Sequence, residues 1–332
     1  DTVSTTEKID FAKTLERKTL DADSRIVSVQ EASYSDSRFE FVIANSRGLA
    51  RAFRNAHCSC AVTASAAQEG SDSEMGSEFD VGRTFDALRL DWVARQCADR
   101  AAQRLGGKPC STGAMPIVLD NRVTTSFLQV VGPALMANNV LKGKSLFAGR
   151  VGERIASDAI TLIDQNDLDT ALSPAPFDGE GASAQRTVLV ASGVLGGYLH
   201  NAYTAHKRGE TSTANAGRGG FRSPPEVGVT NAFIEPGADS REALFARAGD
   251  GLFVTQAMGV HMANPVSGDF SFGASGRLIE RGVLGRPIRG VTIAGNVKDL
   301  LLNVTDAGND LRFFGAYGAP SVLVSQLMVS GE

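Results

Sequence analysis

The sequence predicts an α+β chain. A mixed N-terminal part with an antiparallel sheet and long helices is followed by a β-rich C-terminal part of barrel or sandwich type. Three observations carry this expectation. Apolar residues alternate with period two before residue 67 and again after residue 187. Long stripes of helical period fall only between about residues 84 and 142. Glycine is abundant, with 36 residues, and supplies the turns that many strands need.

The elements follow in order. Ser4 and Glu7 have capping-box spacing and open a helix with Phe11 and Leu15 on one face. From Ile26 the period becomes two, and segments near Ile26–Tyr34, Phe39–Ile43 and Ala61–Ala66 read as three or four strands of a meander. Asn45-Ser46-Arg47-Gly48 is a turn between two of them, and residues 69–78 read as a polar loop. Phe85, Leu88, Val93, Cys97, Ala101 and Leu105 form a helical stripe that Gly106-Gly107 stops. Met115–Asp120 is a short buried strand, and Thr124–Leu141 a second long helix that Pro133 kinks or breaks. Beyond it, a Ser192-Gly193 hairpin turn is expected, then a Gly- and Ser-rich loop over 210–231. Ser240 caps a short helix ending at Gly249. Strands near 252–260, 270–272, 277–280 and 288–294, a helix over 297–304 and a closing strand near 321–329 complete the chain.

The 332 residues predict two domains, 1–165 and 166–332, because Asp164–Pro176 is polar, contains proline and lacks periodicity. The net charge of −4 and the lack of a Lys/Arg-rich run remove the electrostatic case for nucleic acid as a partner. Four scattered cysteines without a CxxC pair read as reduced thiols of a cytoplasmic protein. No apolar run has the length of a membrane span, and no signal peptide is visible. The chain starts at Asp1 rather than Met, so a natural N-terminal part is expected to be missing.

Chemistry-bearing motifs are scarce. With His57, His200, His206 and His261 as the only histidines there is no HExxH, and His200 and His206 fall on different sides of a helix. They are expected to be core or solvated histidines. No GxSxG is present. Lys142-Gly143-Lys144-Ser145 looks like the end of a P-loop, but Asn138 stands where the first glycine belongs and a helix precedes it. Three segments do combine glycines with short polar side chains. They are Phe177-Asp178-Gly179-Glu180-Gly181, then Asn264-Pro265-Val266-Ser267-Gly268-Asp269-Phe270-Ser271, then Thr292–Asn296. Each reads either as a tight turn or as a place where another backbone approaches. The candidate site residues are Phe177, Asp178, Gly179, Glu180, Gly181, Asn264, Ser267, Gly268, Asp269, Phe270, Ser271, Gly295 and Asn296.

Those segments, with GVLGGYLHNAYTAHKRGE at 193–210, NPVSGDFSFGASGRLIERG at 264–282 and PIRGVTIAGNVKDLL at 287–301, resemble the TldD/PmbA family, once called modulators of DNA gyrase. The resemblance runs in order from about Glu7 to Gly331, and family members usually carry a further α/β segment ahead of it. One branch, TldD, holds zinc with HExxxH on a helix and a later Cys. The corresponding helix here reads Phe127-Leu128-Gln129-Val130-Val131-Gly132-Pro133-Ala134-Leu135, and no Cys follows Cys110. Phe314–Gly318 occupies the region where that Cys would be expected. The resemblance therefore implies the PmbA (TldE) branch, without catalytic residues, metal or cofactor of its own. It implies a peptide-handling subunit that pairs with a zinc-bearing TldD-like chain, or with itself, in processing leader peptides and degrading small unfolded proteins. It implies in turn that the candidate residues of the three segments are peptide-binding. Two other readings stay open. One is a stand-alone binding or regulatory protein. The other is an enzyme with Asp178, Glu180 and Asp269 around a hard metal.

Overall fold

The computed structural model describes residues 3–169, 171, 174–264 and 266–332. The chain packs as two compact units, one of Asp1–Phe41 with Ala52–Lys108, the other of Val42–Arg51 with Pro109–Glu332. Asp164, where composition placed a change of domain, sits in a strand inside the second unit. Its polar surroundings have another cause, the buried carboxylate described below.

In the first unit, helix α1 (Thr5–Asp21) begins with the capping box that Ser4 and Glu7 predict. Glu7 N–H donates to Ser4 Oγ at 3.3 Å and Ser4 N–H to Glu7 Oε2 at 2.8 Å. Strands β1 (Ile26–Ala44), β2 (Ala50–Ala66) and β3 (Glu74–Gly82) form one sheet in that order. Segments 26–34 and 39–43, separate in sequence pattern, are one continuous strand. Half of the expected polar loop, from Glu74, is strand. Its face toward helix α2 (Leu90–Ala102) carries buried Glu78, paired with Arg100 at 2.9 Å, so a core-facing strand reads as polar. Small side chains let α2 lie close, since a Cβ at Gly76 would meet Cys97 O at 2.3 Å. Leu15, Val62, Ala64, Val93, Cys97 and Ala101 fill this core.

The second unit is built around a closed barrel. Its elements in chain order are β4 (Gly113–Leu119), α3 (Asn121–Val131), α4 (Ala137–Leu141), β5 (Leu162–Gln165), β6 (Arg186–Ala191), β7 (Val194–Leu195), α5 (Ala202–Arg208), β8 (Ala216–Gly217), β9 (Glu226–Val227), β10 (Ala232–Ile234), α6 (Arg241–Ala248), β11 (Gly251–Met258), β12 (Asp269–Glu280), β13 (Val283–Asn296), α7 (Val297–Leu302), β14 (Val304–Ala307), β15 (Arg312–Phe314), β16 (Tyr317–Ala319) and β17 (Val322–Ser330). Strands run β13-β12-β11-β4-β17, and β17 pairs back onto β13, closing a ring of five. All neighbours are antiparallel except β4 and β11. Closure removes the free edges that so many strands would otherwise expose. A second sheet runs β15-β16-β10-β5-β6-β7. The β6–β7 turn is the one Ser192-Gly193 predicts, with φ of 42° and 82° as a two-residue primed turn demands.

Helix α3 connects the layers. Asp120 caps it, accepting from Arg122 N–H at 3.1 Å. Its stripe Val123, Phe127, Leu128 and Val131 enters the main core, where the Phe127 ring meets Phe270 and Phe272 edge-on at 5.1 and 5.3 Å. The long helix expected to Leu141 breaks at Gly132, where a 3-10 turn carrying Pro133 intervenes before α4.

Candidate functional site

Helix α3 is aimed by ions at its start. Arg241 Nη2 lies 2.6 Å from Asp310 Oδ2 and 3.6 Å from the buried Asp120. Asp310 also accepts from Ser321 N–H and Oγ, and Asn121 donates to its carbonyl. Burial opposes ionisation of Asp310, but Arg241 and the Ser321 bonds win and hold its carboxyl below the usual range. The Gly308–Leu311 stretch thus fixes where α3 begins.

Two sides of α3 matter. On one, Gly132 lies against Tyr317 of β16, and a Cβ there would come 2.4 Å from the phenol oxygen. Burial, helped by the carboxylate of Asp164, pushes the Tyr317 phenol up to about 12. On the other side lies an open cleft of about 460 Å³, lined by Ser126, Gln129, Val130 and Pro133 of this helical stretch and by Ala257, Gly259, Val260 and Ala263 beyond it. Met258 at the end of β11, and Met262 and Val266 in the β11-to-β12 connection, are all more than half exposed. Ser126 and Gln129 are the polar side chains of the lining, and Ser126 already donates to Arg122 O. His261 lies in this connection, but its side chain is outside the described residues.

The second and third segments meet beside that connection. Asp269 stands opposite Asn296 and Phe270 opposite Gly295 across β12 and β13. Asn264 Oδ1 accepts from the N–H groups of Val266 and Ser267, and Gly268 N–H donates to Asn264 O. Asn296 caps α7, accepting from Lys298 N–H, and its amide donates to Ser267 O and to Asp269 Oδ1. Bonds from Ser267 and Asn296 hold the Asp269 carboxyl below the usual range. Gly268 has φ 86°, so the turn itself calls for glycine. Pro265 lies outside the described residues. Pairing of β11 with β12 stops at Met258 opposite Gly273, which leaves Phe270, Ser271 and Phe272 without a β11 partner.

The first segment is held by different neighbours. Asp178 Oδ1 accepts from Glu180 and Ala182 N–H, and Oδ2 from Ala216 N–H at 3.0 Å. Gly179 N–H donates to Ala216 O at 2.7 Å, where a Cβ would collide, and Arg218 Nε donates to Gly179 O. Glu180 Oε2 accepts from Ala202 N–H at the start of α5. Phe177 and Gly181 pack on the tip of the β1–β2 hairpin, Phe177 under Arg51 and Gly181 against Leu49. Carboxylates expected to face a ligand are thus engaged by backbone N–H groups.

A second buried carboxylate completes this knot. Asp164 accepts from Asn215 Nδ2, from Thr230 N–H and Oγ1 and from Asn231 N–H, and burial still pushes its pKa up. His200, 1% exposed, has Nε2 3.0 Å from Glu210 yet no well-formed bond on either ring nitrogen, and burial lowers its pKa. It is a core histidine. Sequence reading missed Gln129, Tyr317 and Asp164. Gly132 beside a proline was the available signal for the first two, and nothing local marks the third.

A five-stranded barrel thus backs a helix that lines an open, ligand-sized cleft. Residues 112–331 match the PmbA/TldA metallopeptidase C-terminal domain and residues 1–105 the corresponding central domain. The chain belongs to the PmbA/TldD metallopeptidase family. It is 30% identical to Metalloprotease PmbA of Escherichia coli O157:H7, over 99% of this chain and 71% of that protein. A Metalloprotease PmbA homolog of Haemophilus influenzae is 28% identical over 97% of this chain and 69% of that protein. A crystal structure of a proposed modulator of a DNA gyrase from Thermotoga maritima superposes with TM-score 0.93 at 30% identity, covering 99% of this chain and 75% of that one. TldE from Thermococcus kodakarensis shares the fold, with TM-score 0.91 at 22% identity, over 99% and 75%.

The family's name implies a metal. The described donors here do not fit one. The α3 cleft is lined by an amide, a hydroxyl and apolar groups, which are poor zinc ligands. Among the described residues no three His, Cys, Asp or Glu side chains cluster, so Asp178, Glu180 and Asp269 do not form the hard-metal group one reading required. The cysteines Cys58, Cys60, Cys97 and Cys110 are free and buried. Among the described residues no helix is long and apolar enough to cross a membrane.

Proposed function

We propose that this chain is the non-catalytic, peptide-handling subunit of a TldD/TldE-type metalloprotease that processes leader peptides and degrades small unfolded proteins. Its partner is a zinc-bearing TldD-like chain, and its place is the cytoplasm, in keeping with four free cysteines. One observation carries the reading. The α3 cleft, about 460 Å³, lies within the roughly 300–1,000 Å³ of small-ligand pockets, yet its described lining offers no imidazole, carboxylate or thiol. Such a cleft can hold a side chain, and its described lining has no group to activate water.

The peptide lies extended beside Phe270–Phe272, where β12 has no β11 partner, with its side chains toward the cleft and the flexible Met258 and Met262. Main-chain bonding of this kind tolerates many sequences. Asn264, Ser267, Gly268, Asp269, Gly295 and Asn296 shape the turn beside it. The Phe177–Gly181 loop braces the neighbouring ribbon. The partner supplies zinc, activated water and the general base.

Cleavage of an unfolded model peptide is measured with this chain, with the zinc-bearing relative and with both. The mixture is expected to cleave and this chain alone to be inactive. Chelator-sensitive cleavage by this chain alone contradicts the reading. Identical rates with and without it would leave only a stand-alone binding role.

A further inference from the structure

Residues 216–229 form an excursion whose root is held by two buried carboxylates. Asp164 takes Asn215 on one side of it and Thr230 on the other, and Asp178 takes Ala216 N–H. The short β8–β9 ribbon rises from that root, and Arg218 braces it by donating to Gly179 O and to Ser223 O, each at 2.7 Å. Burying carboxylates costs several kcal/mol unless each is well bonded, so a loop fastened this way is held in place. Its tip reads Gly219-Gly220-Phe221-Arg222, and Phe221 is 90% exposed. The Arg222 guanidinium lies 5.1 Å from that ring and has no carboxylate partner among the described residues.

The adjoining surface has the same character. Asn201, the cap of α5, donates to Pro225 O, and α5 presents an exposed Tyr203 with Lys207 over its ring. Lys207, Arg218 and Arg222 all lack an ion-pair partner among the described residues, while of the neighbouring carboxylates Glu180 is held at the start of α5 and Glu210 is paired with Arg208, and Glu226 lies on β9. A large aromatic presented on a braced loop among unpaired cations fits a protein socket that is apolar at its centre and acidic at its rim.

We infer that the Phe221 finger is the element by which this chain docks onto its protease partner, with Phe221 as the anchor and Arg222 facing a partner carboxylate. The inference rests on the proposed function, which supplies the partner.

The purified chain is titrated calorimetrically with the zinc-bearing relative. Phe221→Ala and Arg222→Glu are compared with the wild type, and thermal melting is run on each. Phe221 touches solvent, so both variants are expected to melt like the wild type. Phe221→Ala is expected to weaken binding at least ~10-fold, and Arg222→Glu by a similar factor that shrinks as salt is raised. Wild-type binding that both variants match overturns the finger and leaves the proposed function intact. No binding by the wild type overturns the proposed function and this inference with it. A finger that instead holds two copies of this chain together, seen as a self-dimer that Phe221→Ala dissolves while the hetero-complex persists, overturns the inference as stated.

Discussion

The α3 cleft and the Asp164–Asp178 knot sit in the same unit and are built oppositely. The cleft is open, and an amide and a hydroxyl are the polar side chains of its described lining. The knot is closed, and its two carboxylates accept from backbone and amide donors on every side. In an enzyme the perturbed acids face the substrate. Here Asp164, whose pKa burial raises, faces the scaffold, and so does the buried Asp178 carboxylate, so charge fixes the loops and the cleft is left to shape and main-chain bonding.

The largest expected effect breaks the knot. Asp164→Ala leaves the N–H groups of Thr230 and Asn231 without their acceptor and Asn215 Nδ2 with Gly228 O alone. Chemical denaturation should show a loss of about 3 kcal/mol or more. A variant as stable as the wild type would mean that the excursion does not depend on this carboxylate. Next comes the packed side of α3. Gly132→Ala places a Cβ 2.4 Å from the Tyr317 oxygen and should cost about 1–3 kcal/mol. Combining it with Tyr317→Leu should recover part of that loss, so a purely additive double mutant refutes the contact.

The smallest effect concerns acid. Asp310 is held below the usual carboxylate value of 3.8. Its contribution to stability is present above that value and is lost as pH falls through the depressed folded pKa. Asp164 is raised, so its protonation favours the folded state, and it runs against Asp310 as pH drops. Asp310→Asn should therefore be destabilised near neutral pH and lose less than the wild type on acidification. A parallel acid limb in both proteins would rule out Asp310 as a source of the acid sensitivity.

How much of this was legible follows from how local each feature is. The capping box at Ser4 and Glu7, the Ser192-Gly193 turn and the Ser240 cap are set by a few adjacent residues, and each appears in the structure, whereas the helix expected to run to Gly106 ends at Ala102 with Gln103 as its cap. Barrel closure depends on β17 returning to β13 across the whole second unit, and no window of sequence contains it. β3 was read as partly loop because its buried Glu78 is partnered from α2, a distant segment. The turn at Asn264–Gly268 and its pairing with Asn296 were visible as glycines and amides in two separate runs. The cleft was not visible, because it is made of ordinary Ser, Gln, Val and Ala side chains that only the packing of α3 brings together.

The central claim is that the cleft receives peptide without metal or chemistry of its own. Fluorescence anisotropy of a labelled unfolded peptide, titrated with this chain alone before and after exhaustive chelation, measures it most directly. The account predicts saturable binding that chelation leaves unchanged, that Gln129→Trp abolishes by filling the cleft, and that returns the peptide intact. Binding that disappears with chelation, or a peptide recovered in fragments, would contradict it.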